Sequence, residues 1–260
     1  MTATDDRATR GFGIEIAIVL ALSLGRSATY AVLNLIERLT RPEALSEQTT
    51  SMNQAITPDR PWLDLAYQLA QIIFALAPVA LVLYLLVFRA GPMVWGMTPR
   101  RALGFDLRRP GFDLSRGVLI FAAIGIPGLG FYLAARQLGL NTTIAAANLS
   151  DAWWSIPVLV LAAAQNGVLE QVVMIGYLLI RARQLGWAWW QMWLLAAVIR
   201  GGYHLYQGFG QGVANFLMAL IFGLLYYRWK RIGPLVVAHT LLDIASFVGY
   251  ALAAPYLDWL

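Results

Sequence analysis

WWSIPVLVLAAAQNGVLEQVVMIGYLLIRAR, residues 153–183, is a nearly unbroken apolar run of 31 residues. A membrane-crossing helix needs about 20 such residues, so the run is long for one span and short for two. Charge decides between them. If the run crosses once, Arg7, Arg10, six arginines of residues 89–116, Arg181, Arg183, Arg228, Lys230 and Arg231 share one side, 13 basic residues in all. The other side receives Arg38, Arg41, Arg60 and Arg136. Basic residues mark the cytoplasmic side, and two crossings would scramble the asymmetry. The expected fold is all-α: a polytopic membrane helix bundle of about seven transmembrane helices, N-terminus cytoplasmic and C-terminus outside.

Working outward, the other six spans are read at residues 11–36, 61–88, 117–135, 187–206, 212–229 and 234–256. Residues 1–10 form a polar N-terminal tail, and Asn166-Gly167 predicts a kink in the long run. With 59% hydrophobic and 13% charged residues the chain cannot clothe a water-facing surface, since soluble proteins carry about 25% charge. Residues 1–260 are expected to form one transmembrane bundle. The net charge of +5 comes from 18 arginines and one lysine gathered at segment ends, which suits membrane lipids and requires no nucleic acid. That arginine excess fits a GC-rich bacterium, and a multi-pass place in its inner (plasma) membrane is expected. No cysteine is present, which excludes disulfides, thiolate metal sites and a cysteine nucleophile. A polar start without a small-residue cleavage site predicts no removable signal peptide.

The polar residues inside apolar runs are few. Glu170 and Gln171 interrupt the 153–183 run; Arg200, Tyr203 and His204 fall in the next; Asn215 lies in the one after; His239 and Asp243 lie four apart in the last. Ionisable groups at membrane depth are costly and mark functional sites by default. Glu170 can serve as a general base, and Asp243 can orient His239 through its other ring nitrogen or bind metal itself. Arg200 can pair with Glu170, bind a substrate carboxylate or snorkel to the interface. Counted along upright helices from the cytoplasmic ends, Glu170 lies roughly 16 Å deep, His204 roughly 25 Å and His239 roughly 8 Å, a scatter that only tilted or shortened helices would close.

Taken in order, these residues resemble the CAAX protease and bacteriocin-processing (CPBP, or Abi) family of intramembrane proteases. Its pattern is Glu-Glu-x-x-x-Arg, then Phe-x-x-x-His, then His-x-x-x-Asn/Asp. Here the motifs read Glu170-Gln171-Val172-Val173-Met174-Ile175, Arg200-Gly201-Gly202-Tyr203-His204 and His239-Thr240-Leu241-Leu242-Asp243, within residues 155–250. Gln171 and Ile175 together replace the motif's second glutamate and its arginine, and Arg200 stands at the motif phenylalanine, where it can supply a replacement cation.

The resemblance implies an endopeptidase acting on a membrane-embedded or lipid-associated peptide. Glu170 would activate the attacking water with help from His204, and His239 and Asp243 would stabilise the oxyanion. Gln171, Arg200, Tyr203 and Asn215 are the supporting or substrate-binding residues. A carboxylate and imidazoles also suit zinc, held by His204, His239 and Asp243, and metal-free general-base hydrolysis is the alternative. The departures at Gln171 and Ile175 motivate a second function, a catalytically degenerate adaptor that binds a partner membrane protein or a lipid in the same cavity. A transporter would call for an inverted repeat and paired broken helices, which the chain lacks.

Overall fold

The computed structural model describes residues 3–90 and 96–256. Six helices are long and apolar enough to cross a membrane: α1 (Gly11–Leu39), α2 (Pro61–Phe88), α4 (Pro110–Gln137), α5 (Ser155–Gln184), α7 (Phe209–Trp229) and α8 (Gly233–Ala253). Between them lie a five-residue helix, α3 (Pro99–Leu103), and α6 (Trp189–Tyr203). The protein is an integral, multi-pass, all-α membrane protein.

The described residues refine the expected spans in three places. The run expected at 187–206 is α6, only 15 residues, too short to cross alone. Its composition passes for a span, but Gly201 and Gly202 are poor helix formers and the chain leaves the helix at His204. Residues 3–10 are helical and lead directly into the apolar span that begins at Gly11. No break occurs at Asn166-Gly167; α5 stays helical through it and widens after Glu170 into a π-helical stretch, Gln171–Tyr177.

Gly167 has a different use. A Cβ there would lie 2.5 Å from Thr240 Oγ1 and 3.1 Å from its backbone nitrogen, so the missing side chain lets α5 and α8 touch. Next to this contact the whole 171–180 segment is buried. Val173, Met174, Leu178, Leu235, Ala238 and Phe222 build the main core around it.

The two ends of the bundle are pinned differently. At the end where α1 begins, Arg181 is fully buried and bonds Glu15 Oε1 at 2.7 Å and the Leu85 carbonyl at 3.0 Å. The connector before α4 is clamped there too, by Arg231 on Asp113 (2.6 Å) and Asp106 (2.9 Å). Burial pushes the Asp106 carboxyl up, but the hydrogen bonds from Arg231 and the Arg108 backbone outweigh it and hold the group below the usual carboxylate range.

At the opposite end two loops form a short parallel ribbon, β1 (Thr49–Ser51) with β2 (Thr143–Ala145), in the register Thr49 to Thr143. The ribbon docks on the turn after α6: Thr50 Oγ1 donates to the Tyr206 carbonyl at 3.3 Å and Thr142 N to that of Gln207 at 3.1 Å. Gly208 closes the turn with φ +113° against Leu140 and Asn141, a conformation and a closeness that only glycine accepts.

Candidate active site

The polar residues of four helices meet between the ribbon and the core. From α5 come Asn166, Glu170 and Gln171; from α6, Arg200, Tyr203 and His204; from α7, Asn215; from α8, His239 and Asp243. Consecutive residues of a helix point about 100° apart. Glu170 accordingly turns to α6 while Gln171 turns to α8, and both serve one cluster.

Arg200 is the hub, although its side chain is only 3% exposed. NH1 lies 2.5 Å from Glu170 Oε2, Nε donates to Asn215 Oδ1 at 3.3 Å, and NH2 lies 3.2 Å from His239 Nε2. Asn215 is itself fixed by its amide N–H on the Gln211 carbonyl at 3.1 Å. Phe222 forms the apolar wall, with the guanidinium 6.0 Å from its ring centre and the His239 ring edge-on at 6.5 Å. Of the three roles open to Arg200 in the sequence, the structure has the pairing with Glu170. Ile175, where the family motif carries its arginine, is buried in the apolar core. The cation beside Glu170 is therefore supplied by α6 and not by α5.

Glu170 is held by one oxygen. Tyr203 OH donates to Oε2 at 2.7 Å beside the Arg200 contact, and Oε1 accepts no hydrogen bond from the described residues. His204 lies 2.9 Å through Nδ1 from the Arg200 carbonyl. A carbonyl only accepts, so Nδ1 carries the proton and Nε2 keeps its lone pair. The discordant depths expected for these residues are reconciled through Arg200. It sits one turn below His204, roughly 6 Å nearer the cytoplasmic end, and its long side chain reaches both Glu170 and His239.

His239 is not oriented by Asp243 as the sequence suggested. Gln171 lies 2.9 Å from Nδ1, whereas Asp243 Oδ1 is 3.7 Å from Nε2, beyond hydrogen-bonding distance. Asp243 is bonded by Asn166, whose amide donates to Oδ2 at 3.1 Å. Asn166, expected only to bend the helix, thus belongs to the cluster; its place one turn before Glu170 is the one clue that the sequence holds.

The donor set does not fit zinc. Among the described residues no three His, Asp or Glu side chains group as metal ligands. The Nε2 lone pair of His239, which a metal would need, receives an Arg200 N–H. A guanidinium occupies the centre of the site, where a second cation would be repelled.

Residues 152–245, which hold this whole cluster, match the family model described as Rce1-like, type II CAAX prenyl endopeptidase. This is the CPBP family that the three motifs resemble, and a protease family. No curated protein and no solved structure matches the chain.

Proposed function

We propose that this membrane protein, Rce1-like over residues 152–245, is an intramembrane endopeptidase that hydrolyses a peptide bond of a lipid-associated, CAAX-type substrate. The observation that carries the reading is the Glu170 carboxylate, anchored through Oε2 with Oε1 left over. Oε1 is the base that takes a proton from water, and the Nε2 lone pair of His204 on the neighbouring helix end steadies the same water. The water oxygen bonds to the scissile carbonyl carbon, and the C=O electron pair moves onto oxygen. The C–N bond then breaks as Glu170 returns its proton to the departing amine. Each step is general acid–base chemistry by residues of this chain, and none passes through a metal.

The expected outcome for Glu170→Gln is a loss of about 10²–10⁴ in the cleavage rate of an internally quenched, farnesylated CAAX peptide in proteoliposomes. Chelators should leave the wild-type rate unchanged. The bonds that tie Glu170 to Arg200 and Tyr203 also favour a second reading, a binding protein in which the carboxylate is structural. Full biological function from the Glu170→Gln protein would select that reading and reject hydrolysis.

A further inference from the structure

A guanidinium has N–H donors and no acceptor. The 3.2 Å approach of Arg200 NH2 to His239 Nε2 therefore makes Nε2 a lone-pair acceptor. A neutral ring must then carry its proton on Nδ1, the nitrogen 2.9 Å from the Gln171 amide. The same bond gives that amide a use for its oxygen. Gln171 is 0% exposed; its Nε2 stands against Nδ1 while its Oε1 has no hydrogen-bond partner, so rotating the amide by half a turn brings the oxygen to the ring, where it receives the Nδ1 proton.

We propose that His239 is held as the Nδ1–H tautomer, and that Arg200 is the catalytic residue that stabilises the oxyanion in place of His239. The catalytic half rests on the endopeptidase reading above; the tautomer does not.

In this arrangement His239 has no N–H left to offer a substrate. Arg200 has five N–H groups. Three are engaged, on Asn215, Glu170 and His239 Nε2, which leaves one on each terminal nitrogen, between the base and the imidazole. The charge bookkeeping favours the same group. As Glu170 accepts the water proton its negative charge disappears, and an equal charge develops on the carbonyl oxygen. The guanidinium exchanges one anionic partner for another without leaving its place, so no unpaired charge is exposed in the bilayer at any stage. The phenylalanine of the family motif could not act in this way.

The chain has only two histidines, so ring-¹⁵N-histidine labelling yields four nitrogen signals in all. At neutral pH the wild-type protein in detergent should show His239 with a protonated Nδ1 and a lone pair on Nε2, assigned with a His204→Gln protein. A protonated Nε2 on His239 would overturn the tautomer. For the catalytic half, Arg200→Gln should lower kcat on the farnesylated CAAX peptide by about 10²–10³-fold, the cost of one oxyanion donor, with little change in KM. Arg200→Lys keeps the charge in the bilayer if the neutral variant fails to fold; it should lose kcat as well, because an ammonium lacks the planar fork. An unchanged kcat in either folded variant rejects Arg200 as the oxyanion donor. If the wild-type protein leaves the peptide uncut, the endopeptidase reading fails while the nitrogen signals still decide the tautomer.

Discussion

At the scale of single residues, the site is a set of substitutions that make sense only together. Gln171 and Ile175 drop both charges of a possible motif ion pair together, and Glu170 takes its cation, Arg200, from another helix. The sequence displayed each exchange. It could not say which nitrogen of His239 Gln171 would meet, because that depends on how far α5 and α8 approach. Asn166 escaped for the same reason, since its partner Asp243 is 77 positions away along the chain. The closeness of α5 and α8 can be tested at one atom. Gly167→Ala puts a methyl group against the Thr240 backbone and should cost about 1–3 kcal/mol, read as a lowered Tm in detergent.

At the scale of elements, two features were beyond sequence reading. In a run as uniformly apolar as 171–180, a π-helical period and an α-helical period leave the same pattern, so the wide turn after Glu170 has no signature. Strands of three residues are likewise too short to show alternation, and the Thr-Thr pairs at 49–50 and 142–143 reveal their partnership only in the fold. What was legible is the place of the six long helices along the chain, since apolar runs of about 20 residues mark them. The C-terminal end of α5 offers a test of how these helices are locked. Arg181 is fully buried on a Glu15 that is 4% exposed, so Arg181→Leu leaves that buried carboxylate only the Tyr177 hydroxyl and the half-exposed Arg89. The expected loss is about 3–5 kcal/mol, seen as a large fall in Tm, and a paired Glu15→Leu change should recover much of it.

At the scale of the whole molecule, the Arg231 clamp makes the connector sensitive to acid. The folded Asp106 carboxyl titrates below its unfolded value of about 3.9. Its contribution to stability is thus complete above about pH 4 and is lost as pH falls through the lower, folded value. Limited proteolysis of the connector should accelerate below that point in the wild-type protein. In Arg231→Gln, which removes the partner of both carboxylates, cleavage should be fast already at neutral pH.

The short sixth helix carries a consequence for the surrounding lipid. Fifteen residues rise roughly 22 Å, against a hydrocarbon layer of about 30 Å. The ribbon's polar backbone descends to meet the helix end, and hydrocarbon cannot solvate such groups. A bilayer matched to α6 would be thinner there, a hydrophobic mismatch that would let water approach His204 from the ribbon side. We expect turnover to vary with acyl-chain length, fastest in short-chain phosphatidylcholine vesicles and slowest in long-chain ones. Equal rates across the series would mean that water reaches the catalytic carboxylate by another way.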